Sequence, residues 1–252
     1  MSTKRVFIHG VPESAAIWEP LLKELAVTDD SEVVLLSPPG FGVPLPAGFG
    51  ATFAEYRAWL IDELSRLAGP VDLVGHDFGG VHVLAVAMER PDLLRSWVSD
   101  VVGVFDPDYV WHPLAKIWQT PGDGERQIAG LLSGSVADRA ARMVQIGLLE
   151  PAASKVAAVQ NEDMGRAILS LYRSARQPFL AELGRELDKV ARRPGLAIIP
   201  TEDHAVGTLE QRKRAAQRAG ARVEILDGLG HWWLLQDPAR GARVLADFWS
   251  KL

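Results

Sequence analysis

Short runs of apolar, often β-branched residues alternate along the chain with longer segments whose apolar positions recur every three or four residues. The first pattern is typical of strands and the second of amphipathic helices. Because the strand segments are apolar at nearly every position and the links are short, they predict a parallel sheet covered by helices on both faces. The predicted strands are Arg5 to Ile8, Glu32 to Leu36, Val71 to Val74, Trp97 to Val102, Leu196 to Ile199 and Arg222 to Leu226.

The alternation stops after the fourth predicted strand. From residue 105 to residue 193 the chain shows helical periodicity without a convincing strand, and strands and helices then alternate again to the end. We therefore expect one core domain built from residues 1–104 and 194–252, with a helical cap inserted at 105–193. The predicted fold class is α/β, with a mainly parallel sheet of about six strands flanked by helices.

Composition restricts the chemistry and the partners. The 252 residues include 27 Lys and Arg against 32 Asp and Glu, a formal charge of −5, and no cysteine. A disulfide framework and a thiol nucleophile are therefore excluded, and no basic cluster predicts nucleic-acid binding. The apolar run Val6 to Ile8 is too short for a signal-peptide core, and no stretch reaches the roughly 18 apolar residues of a membrane span. We expect a soluble cytoplasmic protein without a membrane partner, and leave its oligomeric state open.

Reactive side chains follow several of the predicted strands. Asp77 lies in the segment 75–80 (Gly-His-Asp-Phe-Gly-Gly) between the third strand and a helix, which fits a Gly-x-nucleophile-x-Gly turn. Asp203 and His231 follow the fifth and sixth strands. Because ligands of such sheets bind at the carboxyl ends of the strands, we expect these residues to meet as nucleophile, acid and histidine. Asp100, at the end of the fourth predicted strand, is the alternative acid.

With these motifs the sequence resembles the α/β-hydrolases over essentially its whole length, and among them the epoxide hydrolases and dehalogenases that use an aspartate nucleophile. That fold usually carries two strands before its His-Gly loop, but only eight residues precede His9 here, which agrees with six strands. The N–H groups of Val11 and Phe78 are the predicted oxyanion hole, and the Val11–Pro12 peptide is predicted to be cis. The resemblance rests on His9-Gly10-x-Pro12, Pro39-Gly40-Phe41-Gly42, Gly75-His76-Asp77-Phe78-Gly79-Gly80 and Gly230-His231-Trp232.

The resemblance also bears on the leaving group. Phe78 and Val11 stand where haloalkane dehalogenases usually place Trp and often Asn, and Phe78 and Val81 stand where fluoroacetate dehalogenases place arginines. The segment around Tyr172 resembles the one that carries a cap tyrosine in epoxide hydrolases, where the hydroxyl protonates the epoxide oxygen. For a second donor, His112 ranks ahead of Tyr109.

These expectations combine into an epoxide hydrolase that forms a vicinal diol through an ester on Asp77, which is then hydrolysed by water activated by His231 and Asp203. The predicted substrates are a small apolar organic molecule and water, and no metal or organic cofactor is expected. Alternatives are a haloalkane or haloacid dehalogenase, a lactone or ester hydrolase with Asp77 as a base, and a non-catalytic binding protein. The predicted pocket residues are Pro12, Trp18, Trp111, Trp118 and Trp232.

Overall fold

The computed structural model describes residues 4–26 and 32–252, and these contain a six-stranded sheet. Every neighbouring pair of strands is parallel, as predicted. In spatial order from one edge the sheet contains β2 (Glu32–Leu36), β1 (Lys4–Ile8), β3 (Val71–Gly75), β4 (Leu94–Ser99), β5 (Gly195–Pro200) and β6 (Arg222–Leu226).

Helices connect these strands, and a block of them separates β4 from β5. In the core these are α1 (Glu19–Leu25), α2 (Phe53–Ser65), α3 (Phe78–Glu89), α10 (Leu209–Arg218), α11 (Trp233–Gln236) and α12 (Pro238–Trp249). Between β4 and β5 lie α4 (Pro113–Gln119), α5 (Asp123–Leu132), α6 (Val136–Gln145), α7 (Ala152–Val159), α8 (Glu162–Ser174) and α9 (Phe179–Leu183). Four 3-10 helices complete the described elements: Ala15–Trp18, Pro91–Leu93, Val102–Phe105 and Gly184–Arg192. Residues 105–193 are called the cap segment below.

Alternating strand residues bury their side chains in two separate cores. On β1, Val6 and Ile8 belong to one apolar cluster and Phe7 to the other, and on β3 Leu73 and Val74 divide in the same way. Successive side chains of a strand point to opposite faces, so a strand covered by helices on both sides must be apolar at every position. The continuous apolar runs of the sequence follow from this two-sided burial.

Two expectations about the strands were wrong in detail. The fourth strand spans Leu94–Ser99 rather than 97–102, because the apolar residues after it form the 3-10 helix Val102–Phe105 and are buried there outside the sheet. The edge strands β2 and β6 are only partly buried; Val33, for example, is 44% exposed. Helices cover the middle of the sheet more completely than its edges.

The direction of strand addition reverses between β1 and β3. From β1 the chain first adds β2 on one side and then β3 on the other, so the loops after β1 and β3 diverge at the carboxyl edge of the sheet. Such a crevice is where open α/β sheets bind ligands. Among the described residues, no helix combines the length and hydropathy needed to span a membrane.

Candidate active site

A tight turn between β3 and α3 holds Asp77 in a strained backbone conformation. Its φ of 50° and ψ of −129° lie where non-glycine residues are rare. The turn needs its glycines, because a Cβ on Gly79 would lie 2.3 Å from the carbonyl oxygen of Ile8, and one on Gly75 would lie 2.5 Å from the backbone of Gly79. The turn therefore presents Asp77 at the carboxyl edge of the sheet.

The three residues predicted as nucleophile, acid and histidine lie together at this edge. His231 Nδ1 is 2.8 Å from Asp203 Oδ2, and His231 Nε2 is 3.6 Å from Asp77 Oδ2. Asp100, the alternative acid, is hydrogen-bonded to His76 instead. The carboxylate that orients His231 is therefore that of Asp203.

The loop after β1 lies directly against Asp77. The Val11 N–H donates a hydrogen bond to Asp77 Oδ1 at 2.9 Å, and Gly10 permits this approach because a Cβ there would lie 2.2 Å from the same oxygen. Phe78 is the first residue of α3, and the initial N–H groups of a helix have no acceptor within it. The Val11–Pro12 peptide is cis, as predicted. The oxyanion hole itself stays a prediction.

A second histidine, to which the sequence assigned no chemistry, lies directly behind the first. The ring centroids of His76 and His231 are 4.7 Å apart. His76 Nδ1 is 2.5 Å from Asp100 Oδ2, and Nε2 is 3.2 Å from Glu13 Oε1, with all three side chains at most 2% exposed. Burial alone would lower the pKa of His76, but the charges of Glu13 and Asp100 raise it well above its ordinary value. His76 is therefore an imidazolium held between two carboxylates.

This Glu13–His76–Asp100 cluster also connects the loops of the site. No sequence motif marked Glu13, because an isolated glutamate in a loop is usually solvated and its burial follows only from the path of the folded chain. The two carboxylates accept four further hydrogen bonds, to Glu13 from the Gly10 N–H (3.1 Å) and the Trp232 indole (2.5 Å), and to Asp100 from the Asp77 N–H (3.1 Å) and the Trp233 indole (2.8 Å).

The charges around Asp77 set its protonation and that of His231. Burial raises the pKa of Asp77 to about 6, against the opposing charge of His231. Burial alone would lower the pKa of His231, but the charge and hydrogen bond of Asp203 raise it to about 9. Burial alone would raise the pKa of Asp203, yet His231 and, more weakly, the buried Arg212 lower it to about 2. At neutral pH the site therefore holds two carboxylates and an imidazolium.

A cavity of about 460 Å³ opens above Asp77, between the core loops and the cap segment. The Tyr172 side chain lies in its wall, and its hydroxyl has no hydrogen-bond partner among the described residues. Burial raises the pKa of Tyr172 well above its ordinary value, so the hydroxyl keeps its proton. Other predicted site residues in the lining are Val11, Pro12, His112, Trp118, Asp203, His231 and Trp232.

The two candidates for a second donor differ in how their polar atoms are used. The Tyr109 hydroxyl already donates to the Ala205 carbonyl oxygen at 2.9 Å, and Tyr109 is absent from the lining of the large cavity. His112 Nδ1 accepts the Ala115 N–H at 3.2 Å at the start of α4. Burial lowers the pKa of His112 to about 4, so the neutral ring carries its proton on Nε2. His112 thus offers the available N–H in the cavity.

Two predicted pocket residues lie elsewhere. Trp18 is fully buried in the core, with its ring centroid 5.2 Å from that of Phe7, because the 3-10 helix Ala15–Trp18 turns it under β1. Its assignment to the pocket was wrong. Trp111 stacks on Phe78 at 5.9 Å and lines a small void beside Asp77 instead of the large cavity. The same apolar residue type serves core and pocket, so its sequence position alone does not separate them.

The sequence matches the profile of a family described as "Alpha/beta hydrolase family" over residues 6–244. It is also similar to two curated hydrolases over a limited segment. The (E)-2-((N-methylformamido)methylene)succinate hydrolase of Acinetobacter baylyi is 32% identical over 91 residues, covering 36% of this chain and 34% of that protein. The 2-(acetamidomethylene)succinate hydrolase of Mesorhizobium japonicum is 32% identical over 97 residues, covering 37% and 34%. The match therefore spans about a third of the length of these relatives.

Solved structures resemble the chain over nearly its full length. The haloalkane dehalogenase from Bradyrhizobium elkani USDA94 superposes with a TM-score of 0.72 at 19% identity, covering 100% of this chain and 92% of that one. The enol-lactonase from Burkholderia xenovorans LB400 gives a TM-score of 0.71 at 20% identity, covering 99% and 92%. At these identities the likeness shows a shared fold.

Proposed function

Because the chain belongs to the alpha/beta hydrolase family, we propose that it is an epoxide hydrolase that opens an epoxide to a vicinal diol through an ester on Asp77. The observation that carries this proposal is a carboxylate at the turn after β3, with His231 Nε2 3.6 Å away and the unbonded hydroxyl of Tyr172 in the same cavity wall. A carboxylate attacks an sp3 carbon without first losing a proton, whereas a serine needs a base.

In the first half-reaction an oxygen of the Asp77 carboxylate attacks one carbon of the epoxide. A carbon–oxygen bond to Asp77 forms while the bond from that carbon to the epoxide oxygen breaks, and the Tyr172 hydroxyl gives its proton to that oxygen. The Nε2–H of His112 donates a second hydrogen bond. The result is a neutral ester on Asp77, an alcohol on the neighbouring carbon and a Tyr172 phenolate.

The loss of charge at Asp77 then makes His231 a base. The negative charge of Asp77 is one of the influences that raise the pKa of His231, and the charge of His76 lowers it. Once Asp77 is a neutral ester, its raising effect is lost while the lowering effect of the His76 charge remains, so the pKa of His231 falls. Its proton restores the Tyr172 hydroxyl, and the neutral ring can accept a proton from water.

In the second half-reaction His231 takes a proton from water, and the resulting hydroxide adds to the carbonyl carbon of the Asp77 ester. The N–H of Val11, which donates to Asp77 Oδ1 in the free protein, stabilises the developing oxyanion together with the N–H of Phe78. The bond between that carbon and the former Asp77 oxygen, which is now bonded to the substrate, breaks, and the His231 proton on this oxygen completes the diol. The new Asp77 carboxyl group returns a proton to His231 and regains its charge.

The test is to trap the ester. We expect the His231→Gln variant, incubated with a panel of small epoxides, to gain the mass of one substrate, with the addition localised to the peptide that contains Asp77. Alkylation does not need His231 as a base, whereas hydrolysis of the ester does. Intact-protein and peptide mass spectrometry measure both points.

The matched control is the double variant Asp77→Ala/His231→Gln, which should gain no mass with the same epoxides. An adduct that survives in this control would assign the nucleophile to another residue. Absence of any adduct in His231→Gln, combined with halide release from haloalkanes by the wild-type protein, would instead identify a dehalogenase.

A further inference from the structure

One buried arginine near the site has no role in either half-reaction. Arg212, on α10, is 2% exposed. The buried residues of α10 are Arg212, Ala215 and Ala216, whose spacing puts them on one face of the helix. An apolar residue is expected at such a position, because an arginine is almost never fully buried unless it is paired. The presence of a charge on this face therefore requires a compensating group.

The position of Arg212 along its helix makes the charge less favourable still. The helix begins at Leu209, so Arg212 lies in the first turn, where the helix dipole disfavours a cation. Its Nη1 donates a hydrogen bond to the Pro200 carbonyl oxygen at 2.6 Å, and its Nε has no hydrogen-bond partner among the described residues. Arg212 forms no ion pair within the part of the chain that the structure describes. The guanidinium charge is therefore not neutralised by a bonded carboxylate.

The core holds this side chain at the end of β5. A Cβ on Gly103 would lie 2.6 Å from Arg212 Cγ, so the glycine leaves the room that the arginine stem occupies. Pro200, which accepts the Nη1 hydrogen bond, is the last residue of β5, and Asp203 follows three residues later. The guanidinium is thus fixed beside the start of the loop that carries the acid of the site.

The charges of Arg212 and Asp203 act on each other. Burial lowers the pKa of Arg212, and the charge of Asp203 raises it. The side chain of Asp203 is itself only 2% exposed, and it accepts hydrogen bonds from the Ala205 N–H at 2.9 Å and from His231. Two opposite charges therefore lie buried near each other without being bonded directly.

Two titratable groups of the cap segment also face Asp203, but neither is charged at neutral pH. Burial raises the pKa of Tyr109 well above its ordinary value, and the charge of Asp203 adds to this, so the hydroxyl keeps its proton. Burial lowers the pKa of His112 to about 4, so its ring is neutral. These two groups do not balance the charge of Asp203.

The residues that flank Asp203 in its own loop do not balance it either. The side chains of Glu202 and His204 are 60% and 81% exposed, so water and salt screen their charges. The charges that lower the pKa of Asp203 are those of His231 and, more weakly, Arg212. Of these two cations, only Arg212 keeps its charge when His231 becomes a base.

We infer that Arg212 is a positioning residue for hydrolysis of the ester, because its permanent charge keeps Asp203 ionised while His231 is neutral. The inference rests on the proposed function and adds a residue to its second half-reaction. His231 must lose its proton before it can activate water, and Asp203 then loses its charged partner. A protonated Asp203 would not hold the Nδ1–H of His231 in the working tautomer. The guanidinium stays protonated throughout, since its pKa lies far above neutral pH.

A titration tests this without any substrate. The Asp77→Asn variant carries a neutral amide where the intermediate carries a neutral ester, and mass spectrometry verifies that the amide is intact. NMR spectra of the imidazole groups follow His231, which is assigned by comparison with Asp77→Asn/His231→Gln. We expect Arg212→Gln in the Asp77→Asn background to raise the pKa of His231 by about 1 unit. Neutral His231 with ionised Asp203 carries one negative charge, so loss of a nearby positive charge favours the protonated pair.

The matched control is Lys213→Gln, which removes the same charge from the next position on α10, where the side chain is exposed. It should leave the titration unchanged, because solvent screens the exposed charge. Arg212→Lys, which keeps a cation, should reverse most of the rise. Circular dichroism and urea unfolding verify that the variants fold. If Arg212→Gln does not fold, Arg212→Met, which fills the space without a charge, should give the same rise.

The second measurement is kinetic. In single-turnover experiments with an epoxide, the pH at which ester hydrolysis reaches half of its maximal rate should rise by about 1 unit in Arg212→Gln. The rate of ester formation should not change, because Arg212 does not contact Asp77 or Tyr172. A purely structural role for Arg212 predicts the opposite result, in which both rates fall and the pH midpoint stays in place.

The possible failures are distinguishable. If His231 titrates at the same pH with and without the Arg212 charge, or if Lys213→Gln shifts it equally, the inference is overturned while the proposed function stands. If the titration shifts as expected but no epoxide forms an ester on Asp77, the proposed function fails. The role of Arg212 in ester hydrolysis then fails with it.

Discussion

Two histidines lie side by side in this protein, and each is bonded to a buried carboxylate. His231 bonds to Asp203 and lies 3.6 Å from Asp77, whereas His76 is held between Glu13 and Asp100. The side chain of His231 is 18% exposed, and that of His76 is 0% exposed. The same residue types therefore occur at the wall of the cavity and, one ring behind it, in the interior.

The two histidines differ in how many of their ring nitrogens are already hydrogen-bonded to carboxylates. Both ring nitrogens of His76 are paired with carboxylates, so the ring has no position left for water. His231 has one nitrogen bonded to Asp203, and the other points to Asp77 at the cavity. An oriented ring with one free nitrogen can move a proton, whereas a ring bonded at both ends fixes the surrounding loops. Whether a histidine in this protein can transfer a proton therefore depends more on a free ring nitrogen beside the cavity than on the residue type.

The largest effect should come from replacing, one at a time, the carboxylates Asp203 and Asp100 that are bonded to the two histidines. We expect Asp203→Asn to reduce ester hydrolysis by about 10³- to 10⁴-fold with little loss of stability, because the amide no longer holds His231 in the working tautomer. Asp100→Asn should instead destabilise the fold by about 3 kcal/mol, because it breaks a buried charge pair. Single-turnover kinetics and urea unfolding measure the two losses.

A smaller loss of hydrolysis in Asp203→Asn than in Asp100→Asn would reverse the comparison, and would make Asp100 the functional acid. The same kinetic and unfolding measurements on Asp203→Glu and Asp100→Glu, which keep the charge but lengthen the side chain, separate the effect of charge from that of side-chain geometry.

A smaller effect should separate the two cap tyrosines on the same principle. We expect Tyr172→Phe to slow ester formation by about 10²-fold, because the unbonded hydroxyl at the cavity is the proposed proton donor. Tyr109→Phe should change this rate by less than about threefold, since its hydroxyl is committed to the Ala205 carbonyl. Rapid-quench measurement of the ester compares them. Equal rates for wild type and Tyr172→Phe would remove Tyr172 from the mechanism.

The smallest effect concerns acid stability of the interior cluster. Burial alone would raise the pKa of Glu13, but the charge and hydrogen bond of His76, together with the charges of His231 and His9, lower it to about 2. A carboxyl group whose pKa is lower in the folded state stabilises the fold above its unfolded pKa, near 4.5, and this contribution is lost as pH falls through about 2. We expect Glu13→Gln to remove this part of the acid dependence between pH 2 and pH 6.

Urea unfolding at several pH values between 2 and 6 measures this contribution. Asp62→Asn is the matched control, since it removes an exposed carboxylate within α2. If wild type and Glu13→Gln lose stability in parallel as the pH falls, the buried cluster is not the source of the acid dependence.

Local sequence patterns predicted most of the fold and the central site. Each strand is predicted by a short run of apolar residues. The turn around Asp77 is predicted by its glycines, which the local backbone geometry requires. Asp203, His231 and Tyr172 were found because each follows a recognisable segment, and the structure brings all three to the cavity. Such features depend on a few adjacent residues, so the sequence alone contains them.

Other features depend on which distant segments meet. The sequence did not indicate that Glu13 lies beneath His76, that Trp18 packs in the core, or that the edge strands are partly exposed. The void beside Asp77 is bounded by Val81, Val104 and Val206, from three separate segments. Burial and cavity size are properties of packed neighbours, and those neighbours are brought together only by the tertiary fold. The sequence thus determined which residue types form the site. The tertiary structure decided which of them are exposed to the cavity, which groups they are bonded to, and how much space surrounds them.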